Sequence, residues 1–179
     1  MILSFFRKIM KMLILDYKLL LSKRFEGFEG YEKITSSETF LFKNIYPIVF
    51  IIFSIQLIYL EITDILPNPF KLFYIGFLYI GYNIFVKYIK LKIVFWNERN
   101  LLVVDSFNQK IIPISYSQIY HVRGAVFSEI GIVKVILDDE VNGLKRVSYV
   151  GTRKGFRFFD EHYSVDEIKK KSYWAKKDI

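Results

Sequence analysis

A chain of 179 residues has room for one modest folded domain beside a membrane-spanning segment, and 53% of it is apolar. Its net charge of +8 asks for an anionic neighbour, while the absence of cysteine excludes disulfides, thiolate catalysis and cysteine-bound metal. Eighteen Phe and thirteen Tyr suit a chain solvated partly by lipid.

Met1–Ser22 reads as an amphipathic helix. At 100° per residue Ser4, Arg7, Lys11, Lys18 and Ser22 share a narrow sector, and Phe5, Phe6, Ile9, Met12, Leu13 and Leu20 fill much of the rest. Such a helix either lies in the membrane interface or packs on the folded domain or a partner, so Arg7, Lys11 and Lys18 are candidate lipid or partner contacts. Lys11, Asp16 and Lys18 interrupt the run and disfavour a membrane crossing. Arg7 and Lys8 follow the first apolar residues, and no small-residue cleavage site appears, so a cleaved signal peptide is not expected. The glycines of Phe25-Glu-Gly-Phe-Glu-Gly30 predict a loop over Lys23–Ser37, with Ser36 or Ser37 capping the next helix.

Two uncharged apolar runs follow, Ile45–Leu60 and Leu72–Val86, joined by a turn containing Pro67-Asn68-Pro69. A bilayer core needs roughly 17–25 residues of helix, and both runs reach that once Lys43 and Lys87 snorkel and the flanking tyrosines take interfacial positions. The pattern predicts a transmembrane hairpin. Eight Lys/Arg precede it and seventeen lie from Lys87 onward, whereas Glu61–Phe70 has none, which predicts cytoplasmic termini. Gln56 and Asn83 are polar residues within the runs. They mark contact with another membrane subunit or bond locally to backbone. No ionisable residue lies inside either run, which argues against ion or proton conduction.

After Lys87 the pattern becomes strand-like. Lys92–Trp96, Leu101–Ser106 and Ile111–Ser115 are short β-branched or aromatic segments, the third placed at an edge or bulge by Pro113. Ser117–Val122 makes a helical turn or enters the next strand. Ile130–Leu137 and Lys145–Val150 flank Asn142-Gly143, a strong hairpin signal. A closing helix is expected over roughly Gly155–Trp174. Strands followed by one helix make a small α+β domain.

Two membrane helices before such a domain resemble the bacterial membrane proteins that carry a pleckstrin-homology-like domain. The likeness rests on the strand–turn–strand Leu101–Ile114 and on Lys110-Ile-Ile-Pro-Ile-Ser-Tyr-Ser-Gln-Ile119, and spans roughly Ile45 to Lys171. The resemblance implies two near-orthogonal sheets capped by a helix, in a sandwich or barrel, and a domain that binds proteins, peptides or lipids. The expected organisation is an N-terminal segment over residues 1–44, a hairpin over 45–88 and a cytoplasmic domain over 89–179.

Signals for catalysis are weak. Asp138-Asp-Glu-Val-Asn-Gly143 opens like a calcium loop, but Tyr149 stands where the bidentate acid belongs. His121 and His162 lack ligand spacing, and neither a Gly-x-Ser-x-Gly elbow nor a phosphate loop occurs. Lys145, Arg146, Arg153, Lys154 and Arg157 cluster near the last hairpin and the closing helix, as a lipid or partner contact. The terminal lysines, Lys169–Lys171 above all, read as cations solvating a helix end. The expectation is a non-enzymatic accessory or scaffolding subunit of a bacterial inner-membrane complex, with the lipid bilayer and a membrane protein or second copy as partners. No cofactor, metal or nucleic acid is expected. An anionic-lipid-binding module is the alternative, and an enzyme acting on membrane lipids a weaker one.

Overall fold

The computed structural model describes residues 2–21, 30–63, 68–106, 108–124, 131–151 and 163–177. It is an α+β structure in two compact units, Met1–Thr39 with Leu91–Ile179 and, separately, Phe40–Lys90.

The first unit holds two antiparallel sheets. One has strands β1 (Glu32–Lys33), β2 (Ile93–Trp96), β3 (Asn100–Asp105) and β4 (Lys110–Ser115), in that order. The other has β5 (Ile119–Gly124), β6 (Ile132–Val141) and β7 (Leu144–Val150). A 3-10 turn at Tyr116–Gln118 carries the chain from one sheet to the other. Val94, Leu101, Val103, Ile112 and Ile114 of the first sheet share a core with Val122, Val133, Val135, Val147 and Tyr149 of the second. Helix α4 (Tyr163–Lys177) closes this core with Val165 and Ile168. It ends at Lys177, beyond the expected Trp174, and the expected start at Gly155 lies outside the described residues. Asn142 and Gly143 take φ of 50° and 84° between β6 and β7, the two positive values of a type I′ hairpin. Pro113 sits in β4, which pairs only with β3 and so needs no N–H there for a further neighbour.

The first sheet is buried on both faces. Ile93, Phe95, Leu102 and Val104 are buried yet point away from the shared core, because side chains alternate along a strand. Helix α1 (Ile2–Leu21) lies over this outer face and buries Met12, Leu19 and Leu20. Lys33 fixes its end: the ammonium donates to the carbonyls of Leu20 at 2.8 Å and Leu19 at 3.3 Å, where a cation suits the helix dipole. Burial pulls the Lys33 pKa below its ordinary value.

Residues 32–35, expected within a loop, form the edge strand β1 and its extension. Two residues carry no readable periodicity, but Thr35 supplies the missing information. Its Oγ1 accepts from the Val94 amide at 2.7 Å and donates to the Val94 carbonyl at 3.2 Å. Thr35 also bridges to Gly151, and the Ser36 amide donates to the Val150 carbonyl at 2.7 Å. The returning chain is fixed on the same strand, with the Lys92 amide donating to the Ser148 carbonyl at 2.8 Å. Lys92 then pairs with Asp105 at 2.7 Å. Burial alone would raise the Asp105 pKa, but hydrogen bonds from Lys92 and Asn108 and the Lys92 charge outweigh it and hold it below the ordinary value.

The second unit is a helical pair, α2 (Glu38–Ile62, with a π-helical turn at Leu41–Ile45, its first two residues counted with the first unit) and α3 (Asn68–Ile89). Ring contacts Tyr46–Tyr88, Phe50–Phe85 and Phe53–Phe77 run in opposite sequence directions, so the helices are antiparallel. A Cβ at Gly81 would overlap the Phe50 ring, whereas one at Gly76 would meet open space. Among the described residues one helix, Glu38–Ile62, is long and apolar enough to cross a membrane, with mean hydropathy of 2.0. The apolar part of α3, Phe73–Ile89, is shorter.

Thr35→Val, which strands the buried Val94 amide, is expected to cost about 1–3 kcal/mol in unfolding experiments, with Thr35→Ser restoring most of it. Gly81→Leu is expected to lower the melting temperature of the purified protein, and Gly76→Leu to leave it unchanged. The Lys92–Asp105 pair stabilises fully above about pH 4, where an unfolded aspartate is ionised, and loses its effect as pH falls through the lower folded-state value. Acid titration of the melting temperature should therefore flatten in Asp105→Asn.

Candidate interaction sites

The basic residues singled out by sequence separate into distinct surfaces. Arg7, Lys11 and Lys18 are exposed on α1, spaced at i, i+4 and i+11, with Met10, Ile14 and Tyr17 exposed on the same side. The helix thus has two faces, one buried on the sheet and one basic and apolar. Of the expected settings of α1, packing on the folded domain is the one seen, and the other face of the helix is exposed. Lys145 and Arg146 are exposed on β7. Arg153, Lys154 and Arg157 lie outside the described residues, as does His162, so the basic cluster is placed only at these two positions.

In the helical pair, Asn83 donates to the Tyr79 carbonyl at 2.8 Å and Ser54 to the Phe50 carbonyl at 2.7 Å, both one turn back. Local bonding therefore takes up the Asn83 amide, while its side chain and that of Gln56 remain exposed. Asp138 of the calcium-like stretch pairs with Lys176 at 2.8 Å, which ties β6 to the end of α4. Among the described residues no three His, Asp or Glu side chains are grouped to hold a metal ion.

A further site was not foreseen. An open cleft of about 800 Å³ lies between the β2–β3 turn, the 3-10 turn and α4, and both tryptophans of the chain line it. Its geometry begins with Asn97, whose Oδ1 accepts the amides of Arg99 at 2.8 Å and Asn100 at 2.9 Å and so builds the turn. The Asn97 carbonyl accepts from the Tyr116 hydroxyl at 2.8 Å and from the Lys171 ammonium at 3.1 Å. That ammonium lies 4.8 Å from the centre of the Trp96 ring and 5.6 Å from that of Tyr116, with Glu98 at 3.6 Å. The Trp96 indole donates to Glu32 at 2.9 Å. Burial first, then the negative charge of Glu98, pushes the Tyr116 pKa far above its ordinary value, so its hydroxyl remains a donor.

The rim is different in character. Trp174 is 50% exposed and stacks edge-on against Tyr173, which is 63% exposed, while Trp96 is 5% exposed. Lys169, by contrast, is half-exposed beside Asp166, as a cation solvating a helix should be. The signal that separates Lys171 from its neighbours is its phase on the helix, three residues before Trp174. That pair gains meaning only once Trp96 is brought beside it.

The two tryptophans make the cleft readable by fluorescence. Trp174→Phe is expected to leave a blue-shifted emission poorly quenched by acrylamide, from Trp96, and Trp96→Phe a red-shifted, readily quenched one. Comparison with protein-family models, with curated proteins and with solved structures finds no match to this chain.

Proposed function

We propose that this chain is a non-enzymatic accessory or scaffolding subunit of a membrane protein assembly. In this reading α2 and α3 cross the bacterial inner membrane as a hairpin with both termini cytoplasmic. The two-sheet unit is then a pleckstrin-homology-like domain held at the cytoplasmic face. The membrane placement is supported by the exposed apolar surface of the helices, which includes Ile48, Ile52, Ile55 and Ile62 on α2 and Phe73, Ile75 and Ile80 on α3. In water such a surface would be costly, and in lipid it costs nothing. The short apolar part of α3 is long enough when Tyr88 and Lys87 take interfacial positions.

The observation that carries the scaffolding role is the cleft. Trp and Tyr with a neighbouring cation are the residues that dominate protein interfaces, and here Trp174 is half open at the rim, near Glu32, Glu98, Arg99 and Lys170, above the buried Trp96 and Tyr116. Lys171 is held by a carbonyl and a carboxylate, and the Tyr116 hydroxyl stays protonated, which supports reading the cleft as a recognition surface. A second copy of the chain is the other partner that this surface can take.

The test is gentle extraction from native membranes and capture on a terminal tag, with the wild type beside Trp174→Ala. A partner at fixed stoichiometry that is lost with Trp174→Ala, with the melting temperature unchanged, is the expected result. Wild-type and variant proteins that carry the same proteins, or none, would overturn the reading.

A further inference from the structure

The open face of α1 continues into a second groove, of about 490 Å³, between this helix and the outer face of the four-stranded sheet. Its floor is apolar: Ile14, Leu15 and Leu19 on the helix, Val104 and Ile111 on β3 and β4. Lys11 and Lys18 stand along the helix side, seven residues and so about 10 Å apart at about 1.5 Å per residue. Ile111 is 55% exposed on the sheet face that α1 otherwise covers, and Ile14 is 52% exposed on the helix beside it. No buried core explains this pair of half-exposed isoleucines. An apolar trough edged by two ammonium groups has the chemistry of a site for an anionic amphiphile.

We propose that this groove binds one anionic phospholipid, with an acyl chain along Ile14, Leu15, Leu19, Val104 and Ile111 and the phosphate held by Lys11 and Lys18. Charge complementarity selects the headgroup, and Arg7 and Tyr17 on the same open face extend the contact to the bilayer surface. The site rests on the membrane placement proposed above, and it lies apart from the aromatic cleft.

The experiment uses the full chain reconstituted in vesicles of phosphatidylcholine with or without phosphatidylglycerol. Flotation is measured first: failure to float with either vesicle would overturn the membrane placement, and the lipid site with it. Floated protein is then extracted gently and its retained lipid counted by native mass spectrometry. Retention of one phosphatidylglycerol, reduced at least tenfold in Lys11→Glu/Lys18→Glu while flotation is unchanged, is the expected result. Equal retention by wild type and variant would overturn the site but leave the membrane placement standing. Wild-type protein also gives an independent reading through a phosphatidylglycerol bearing a photoreactive acyl chain. Cross-links are expected on residues 11–19 and 104–111, and cross-links confined to α2 and α3 would overturn the proposal.

Discussion

The hydrogen-bonding edge of β7 is the constraint on which the rest depends. Ser148 and Val150 lie two residues apart on one strand, and their carbonyls hold the chain where it returns from the helical pair and where it departs towards it. Backbone groups buried at such a place must be paired, so these bonds are obligatory once the core has formed. They make one domain out of segments separated by the whole of Phe40–Lys90. The residues before the helices are therefore part of the domain that follows them.

That arrangement explains the strand composition. A sheet with one wet face alternates apolar and polar residues, whereas one buried on both faces reads as a continuous apolar run. Ile93-Val94-Phe95-Trp96 and Leu101-Leu-Val-Val104 are runs of the second kind, and α1 is what covers the outer face. β5 and β7 keep more of the alternation, because their outward residues such as His121, Arg123 and Arg146 meet solvent. The same cover stops short of Ile111, and the groove is the consequence.

Turn chemistry and local pattern were legible without coordinates. Asn142-Gly143 announces its hairpin because two positive φ values suit few other residues, and Pro113 announces an edge because it lacks an N–H. The uncharged runs at Ile45–Leu60 and Leu72–Val86 announce helices. What stayed hidden depends on partners distant in sequence. β1 is too short to carry a period and exists through Thr35 and the register Glu32 to Trp96. Lys171 is chemically identical to Lys169 and Lys170, and only the approach of Trp96 and Tyr116 distinguishes it. The basic face of α1 was readable as a pattern, but the groove beside it needed β3 and β4 to be in place.

The central claim is that chain from before and after the helical pair folds into one domain, and the absence of native cysteine makes it directly testable. Thr35 and Gly151 are bridge partners, a separation that suits a disulfide. The measurement is oxidation of Thr35→Cys/Gly151→Cys in the purified full chain, with a protease site inserted between Thr63 and Asn68. After cleavage, the account expects the two fragments to migrate together without reductant and apart with it. Fragments that separate without reductant, with both thiols still free, would contradict it.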